Sequence, residues 1–97
     1  MATFRLTDLA EKDFDGIGAY TLEMWDYDQT ERYLTKLDET FAALAKTPAL
    51  GKDRDDLRPN LLSCPCNKHV IFFRRDARNN VEILRILHER MDFARHL

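Results

Sequence analysis

The chain has few of the residues that mark specialised protein classes. Its 97 residues include two cysteines, three glycines and three prolines. This scarcity excludes a disulfide-stapled scaffold and collagen-like or linker-like chains. No apolar run approaches the roughly 18 residues of a membrane span, and residues 1–14 lack the charged-then-apolar pattern of a secretory signal. We therefore expect a single cytoplasmic domain that spans residues 1–97.

The composition is otherwise that of a globular domain, with 44% hydrophobic and 33% charged residues. The net charge of −2 is unevenly distributed. Residues 1–51 carry five basic and ten acidic side chains, whereas residues 52–97 carry ten basic and seven acidic ones. The C-terminal half is therefore expected to meet any anionic partner, although so small an excess is equally compatible with a mixed surface.

Two helices are predicted in the first half. Thr7 or Asp8 can cap the first, and Asp8 has capping-box spacing to Glu11. Its apolar stripe is Ala10, Phe14, Ile17, Thr21 and Met24. Asp28 is predicted to open the second helix with Glu31 as its capping partner. The second stripe is Tyr33, Leu34, Leu37, Phe41 and Leu44, and it stops before Pro48. The short linker at residues 25–27 predicts an antiparallel helical hairpin.

The remaining segments alternate with the period of strands. A short strand is predicted at residues 3–6, and three more at residues 61–66, 69–75 and 81–88, which short turns would join as an antiparallel meander. In the last strand, strict alternation places Val81, Ile83, Arg85 and Leu87 on one face and Glu82, Leu84, Ile86 and His88 on the other. Residues 48–60 are predicted as a surface loop anchored by Leu50 and Leu57, and the tail as a helical turn starting at Asp92.

The order of elements is β-α-α-β-β-β. An amphipathic helical hairpin must bury its apolar stripes, and the sheet offers an apolar face. The predicted architecture is therefore α+β with two layers, in which the helical hairpin packs on a mostly antiparallel sheet.

The two cysteines could take part in chemistry only together with histidine side chains. Cys64 and Cys66 share one face of a strand, where a disulfide between them would be strained. His69 and His88 could complete a four-ligand zinc set, but the spacing fits no common zinc motif. His69, close to the cysteines in sequence, could act with a cysteine nucleophile only if the fold brings the two side chains together. We favour small, half-buried strand residues and predict no metal and no cofactor.

Arginines within apolar strands are the unusual feature. The group comprises Arg74, Arg75 and Arg85, followed by His88 and Arg90. An arginine in such a strand must pair across the sheet or face a partner. These arginines could have a structural role, as in a pairing of Arg74 with Glu82 across the sheet. They could instead form a face that binds an anion or a protein.

Several strings, in order, resemble the ParE toxins of the RelE/ParE superfamily. The first half contributes F-x-L-T-x-L-A-E-x-D at residues 4–13, E-R-Y at 31–33 and T-P-x-L-G at 47–51. The second half contributes L-R-P-N at residues 57–60, H-V-I-F-F-R at 69–74 and the ending L-H-x-R-M-D-x-x-R-H-L at 87–97. Asn60 stands where many relatives carry glycine, and Phe73 where many carry tyrosine.

The resemblance implies a RelE-like fold and the toxin of a type II toxin–antitoxin module, a class linked to plasmid stabilisation. Such toxins poison DNA gyrase by binding it, so we expect no enzymatic activity and no catalytic residue. A ParD-type antitoxin would neutralise the toxin with a segment that folds onto it. The expected gyrase-facing residues are Arg85, His88, Arg90, Met91, Asp92 and Arg95. The antitoxin is expected on the groove of the helical hairpin and on the exposed side of the sheet, with Arg58 and Arg74 among its contacts.

Two alternatives remain open. One is a RelE-type, ribosome-dependent mRNA endonuclease that uses Arg74, Arg85 and His88, although the tail lacks the tyrosine that such enzymes often carry. The other is an inactive relative that only binds its antitoxin. We expect neither a membrane partner nor direct sequence-specific binding to nucleic acid.

Overall fold

A computed structural model of the protein describes residues 3–97. It contains five strands and three α-helices, with a 3₁₀ turn at Pro48–Leu50. The elements are β1 (Phe4–Leu6), α1 (Asp8–Met24), α2 (Tyr27–Lys46), β2 (Lys52–Asp53), β3 (Leu62–Cys66), β4 (His69–Arg75), β5 (Val81–His88) and α3 (Phe93–His96). The predicted α+β class is confirmed. None of the helices within the described range is long and apolar enough to cross a membrane.

The helix starts follow their capping residues. The Thr7 side chain accepts a hydrogen bond from the Ala10 amide at 3.1 Å, which confirms the predicted start of α1. In α2 the cap is Asp26, whose carboxylate accepts from the Gln29 amide at 2.7 Å. The prediction that Asp28 opens α2 was wrong, because the chain is still extended at Asp26 and already helical at Asp28.

The two helices form the predicted antiparallel hairpin. Phe14 of α1 packs against Phe41 of α2, with ring centroids 6.2 Å apart, and Gly18 lies against Leu34. A methyl group at Gly18 would come within 3.2 Å of Leu34 Cδ1, so the missing side chain permits the close approach of the helices.

The sheet has the order β1-β5-β4-β3-β2. Strands β3, β4 and β5 form the predicted antiparallel meander, and β1 adds to β5 in parallel. The short strand β2 lies inside the segment predicted as irregular and pairs with β3. Just before it, Gly51 lies against the ring of Phe73 with no room for a side chain.

Only one of the two leucines predicted to anchor residues 48–60 packs against the rest of the protein. Leu57 packs into a small apolar cluster as predicted, whereas Leu50 is exposed, so its predicted anchoring role was wrong. Asn60 adopts a φ of 64°, in the left-handed region that glycine adopts freely and asparagine tolerates. This accounts for asparagine at a position where glycine would also serve.

A β-bulge interrupts β5. Phe72 pairs with Arg85 while Phe73 pairs with Ile83, so Leu84 is an extra residue without a partner in the register. The apolar residues of β5 therefore divide between the faces: Val81, Ile83 and Ile86 belong to one apolar cluster, and Leu84 and Leu87 to the other. The predicted strict alternation was wrong from this point on, because a bulge exchanges the faces of all following residues.

The sheet carries an apolar cluster on each face. The larger one lies under the helices and includes Ala10, Ile17, Leu37, Phe41, Leu44, Ile71, Phe73 and Ile83. The smaller one is built on Leu61, Phe72 and Leu87 and is covered by Leu57 and by Phe93 and Leu97 of the tail. The two-layer prediction holds for the helical side, and the tail partly covers the other side.

Candidate functional surfaces

The C-terminal tail is anchored by an aromatic stack. The ring of Phe93 meets that of Phe72 edge to face, with centroids 4.9 Å apart. The guanidinium of Arg54 lies 5.7 Å from the Phe93 centroid and 5.8 Å from that of Phe72. Cation–π and edge-to-face contacts of this kind add to the burial of the rings. The tail is therefore held against the open face of the sheet.

Arg85 holds the tail from inside the protein. Its Nε and Nη2 donate to the two carboxylate oxygens of Asp13 at 2.8 and 3.0 Å. Its Nη1 donates to the carbonyl oxygen of His96 at 2.8 Å. The hydrogen bonds to Asp13 raise the pKa of Arg85 further above its ordinary value. Arg85 thus connects α1, β5 and α3.

Asp13 also completes the edge of β5. Strand β1 pairs with β5 only as far as Ile83, where the Thr7 amide donates to the Ile83 carbonyl at 3.0 Å. Beyond the bulge, the Ile86 amide donates to the Asp13 carboxylate at 2.9 Å. The side chain therefore takes the place of a strand neighbour. Sequence reasoning missed this role, although Asp13 is the last residue of the F-x-L-T-x-L-A-E-x-D string.

Four of the six expected target-facing residues are exposed on the segment that follows β5. We call these four residues the tail surface: Arg90, Met91, Asp92 and Arg95. Arg95 and Asp92 approach each other only loosely, at 3.8 Å. The other two residues lie differently. His88 is half-buried, and the side chain of Arg85 is only 18% exposed because it is paired with Asp13.

Arg74 makes the cross-strand ion pair that its sequence position allows. Glu82 lies opposite it in the register, and Arg74 Nε donates to the Glu82 carboxylate at 2.7 Å. Arg5 of β1 binds the same carboxylate from the other side. The Glu82 side chain is buried, whereas that of Arg74 remains 57% exposed. Arg74 can therefore still contact a partner.

The two expected antitoxin-binding residues lie together. Arg58 and Arg74 line a cleft of about 360 Å³ on the face of the sheet that does not carry the helices. Its apolar lining comes from Leu61 and Leu84. This cleft, which we call the open-face cleft, combines two exposed guanidiniums with an apolar floor.

The residues expected for RNA cleavage are not gathered into one site. Arg74 pairs with Glu82 near the start of β5, while His88 ends that strand opposite His69. Arg85, between them, is committed to Asp13 and the tail. The three side chains therefore do not converge on one position where a phosphate could sit.

A different polar cluster lies where β4 begins and β5 ends, at the end of this strand pair away from its connecting turn. The rings of His69 and His88 meet edge to face, with centroids 5.4 Å apart, and the Tyr33 hydroxyl lies 2.5 Å from His69 Nδ1. Burial, and then the nearby His88, lower the pKa of His69, while burial raises the pKa of Tyr33. The Arg90 amide donates to His88 Nδ1. Tyr33 was expected only as part of a core stripe. Without the bulge the register of the hairpin would place His69 opposite Leu87, so only the bulge brings His69 opposite His88.

The cysteines take no part in these clusters. Both are free, and Cys66 is buried with its Sγ 3.8 Å from the Lys36 carbonyl oxygen of α2. Burial raises the pKa of Cys64, which makes its thiol a poor nucleophile at neutral pH. Over residues 3–97, no three histidine, cysteine, aspartate or glutamate side chains are placed to share a metal ion.

A family model described as the ParE toxin of the type II toxin–antitoxin system, parDE, matches residues 4–93. The chain belongs to this family. The match runs from the first residue of β1 to the first residue of α3, so it includes the Asp13–Arg85 pair and the residues of the open-face cleft.

Curated ParE toxins are similar to the chain over its full length. Toxin ParE1 of Caulobacter vibrioides is 34% identical over 97 residues, which cover 100% of this chain and 99% of the relative. Toxin ParE of Escherichia coli is 37% identical over 97 residues, covering 100% of this chain and 94% of the relative.

Solved structures support the same fold. A chain of the chromosomal ParDE TA system from P. aeruginosa superimposes with a TM-score of 0.78 at 19% identity, covering 91% of this chain and 96% of that one. A chain of the RelBE2 toxin–antitoxin complex from Mycobacterium tuberculosis gives a TM-score of 0.65 at 24% identity, covering 90% and 96%. The predicted RelE-like fold of this ParE family member is thus confirmed.

Proposed function

We propose that this ParE family member arrests bacterial growth by binding and poisoning DNA gyrase, and that a ParD-type antitoxin neutralises it. The observation that carries the proposal is the full-length similarity to ParE toxins, because the resemblance to that family implies gyrase as the target. The protein acts in the cytoplasm by binding rather than by catalysis.

The tail surface is the proposed gyrase contact. Arg90, Met91, Asp92 and Arg95 are exposed there on a segment held by the Phe93–Phe72 contact. An anchored segment loses little conformational freedom on binding, which favours affinity. Arg85 contributes indirectly by holding the tail, and His88 borders the surface.

The open-face cleft is the proposed antitoxin site. The structurally similar M. tuberculosis chain comes from a toxin–antitoxin complex, and a cleft with two arginines and an apolar floor suits a partner segment that folds on binding. An acidic side chain of the antitoxin would pair with Arg58 and Arg74, and an apolar one would pack on Leu61 and Leu84.

Induced expression in a bacterium tests the target. Growth and an SOS reporter are scored together, with and without a co-expressed antitoxin. Growth arrest with SOS induction, relieved by the antitoxin, is the expected result. Arrest without SOS induction would contradict gyrase poisoning and favour the mRNA endonuclease, and harmless expression would favour the inactive relative.

Matched arginine variants test the tail surface. Arg95→Ala should reduce SOS induction and weaken the trapping of gyrase–DNA cleavage complexes by the purified protein. Arg78→Ala is the control, because Arg78 is also exposed but lies in the turn between β4 and β5, at the other end of β5. Equal effects of the two substitutions would exclude the tail surface as the contact.

The antitoxin site is tested by calorimetric titration of the purified protein with its antitoxin. Arg74→Ala should weaken binding by about tenfold, the equivalent of about 1.4 kcal/mol, while Arg5 still neutralises the buried Glu82. Lys12→Ala, an exposed change on α1, should leave the dissociation constant unchanged. If both substitutions weaken binding equally, the antitoxin binds elsewhere.

A further inference from the structure

A second, wider cleft of about 850 Å³ lies on the helical side, between the tip of the hairpin and the far end of β4 and β5. Arg32 and Lys36 of α2 and Lys68 of the β3–β4 turn contribute three cations to its lining. Tyr33, His69 and His88 contribute the polar cluster described above. We call it the hairpin cleft.

The charge of the hairpin cleft is opposite to that of the whole chain. The protein carries 17 acidic residues and a net charge of −2, yet the described residues that line this cleft include no aspartate or glutamate. Among residues 3–97, none of its three cations forms an ion pair within 4.0 Å. Asp28, Glu31 and Glu39 line a neighbouring depression that shares Arg32 and Lys36 with the cleft, and Glu89 is close enough to act on Tyr33 and His69. These carboxylates lie beside the cleft and do not line it, so the lining itself is complementary to an anion.

Its apolar wall consists of aromatic rings rather than aliphatic side chains alone. Tyr20 is 63% exposed and Trp25 is 59% exposed, and both line the cleft beside Met24. Exposed rings next to cations that lack carboxylate partners are typical of surfaces on which nucleic acid bases stack while the phosphates are held by lysine and arginine. An acidic peptide would use the cations but would not need the flat rings.

We propose that the hairpin cleft binds a nucleotide unit of single-stranded nucleic acid. The phosphate accepts hydrogen bonds from Arg32, Lys36 and Lys68, and the base stacks on Trp25. This goes beyond the proposed function, since binding of gyrase through the tail surface requires no nucleotide. His88 lies at the border of both regions, so a strand bound in the cleft would run beside the tail surface.

Trp25 gives the experiment a built-in reporter, because it is the only tryptophan of the chain. The full-length protein is titrated with a ten-residue oligothymidylate, with the matching oligouridylate and with uridine monophosphate. We expect quenching of tryptophan fluorescence and an affinity that falls as salt rises. The three ligands distinguish a DNA strand, an RNA strand and a free nucleotide as the source of the nucleotide unit.

Variants locate the bound strand, with anisotropy of a labelled oligonucleotide as the readout. Lys36→Gln and Lys68→Gln should each lower the slope of log affinity against log salt by about one. Trp25→Ala should weaken binding roughly tenfold through loss of stacking. Lys12→Gln removes the same charge from an exposed helical position outside the cleft and should change neither value.

Three results would overturn the proposal. The first is the absence of quenching by all three ligands. The second is an equal loss of affinity in Lys12→Gln and Lys36→Gln, which would indicate nonspecific attraction. The third is binding of poly-glutamate as tight as that of the oligonucleotides, which would make the cleft a site for an acidic protein segment.

Discussion

Replacing Asp13 with alanine removes the acceptor of three hydrogen bonds at once. Two come from Arg85, at 2.8 and 3.0 Å, and one comes from the Ile86 amide at 2.9 Å. The substitution would leave Arg85 without its carboxylate and the Ile86 amide without a partner. Both groups belong to the segment of β5 that follows the bulge, where β1 no longer pairs.

The expected cost follows from the burial of the pair. The side chains of Asp13 and Arg85 are 15% and 18% exposed. Removing one partner of a buried ion pair costs about 3–5 kcal/mol, and the remaining exposure of Arg85 places this case at the low end, about 3 kcal/mol. For a domain of this size the melting temperature should fall by roughly 12–24 °C.

Urea denaturation followed by circular dichroism measures this loss. Asp15→Ala is the matched control, because it removes an exposed carboxylate from the same helix and should cost no more than about 0.5 kcal/mol. Asp13→Asn should fall between the two, because its amide oxygen can still accept from Ile86 while the charge opposite Arg85 is lost. The reasoning is refuted if Asp13→Ala costs no more than Asp15→Ala.

The same substitution tests the role proposed for Arg85 in gyrase poisoning. If Arg85 acts by holding the His96 carbonyl and thereby the tail, Asp13→Ala should weaken gyrase poisoning even at temperatures where the variant is folded. If Arg85 itself contacts the target, release from Asp13 would leave poisoning by the folded variant unchanged or increase it. Gyrase cleavage assays with the purified variant distinguish the two.

Two further predictions concern stability. Gly51→Ala should lower the free energy of unfolding by about 1–3 kcal/mol, because the added methyl would overlap the Phe73 ring. Gly16→Ala meets nothing within 4 Å and should raise the free energy of unfolding by up to about 1 kcal/mol, so urea denaturation should show changes of opposite sign for the two variants. Because the pKa of His69 is lowered from 6.5 in the folded state, the unfolded chain binds its proton first, and stability should fall as the pH decreases from about 6.5 through the folded pKa. His69→Gln should flatten this part of the profile in urea midpoints measured between about pH 5 and pH 8, and an unchanged slope would contradict the assignment.

Much of the fold could be predicted because its signals are local. The helical stripes, the proline that ends α2 and the period of two in β3–β5 each depend on residues within one segment, and the structure confirms these elements. The pairing of Arg74 with Glu82 was available from the hairpin register alone. The strings that resemble ParE toxins also lie in the sequence itself, so the family could be recognised before any coordinates.

The remainder depends on contacts between distant segments. The bulge at Leu84 could not be located from the sequence, because apolar residues occupy both faces of β5, yet it decides which face each later residue of the strand occupies. The Asp13–Arg85 pair joins residues 72 positions apart. Sequence reasoning therefore treated Arg85 as a contact residue, while the structure gives it an internal partner.

The sequence by itself determined the order of elements apart from the short strand β2, the family and the expected residues of the tail, because periodicity, capping and motif strings are properties of neighbouring residues. Only the tertiary structure decided which of those residues share a surface. It brought Arg58 and Arg74 to one cleft, buried Arg85 against α1 and opened a cationic cleft beside Trp25. The physical reason is that burial and ion pairing are settled by long-range packing, which no local pattern encodes.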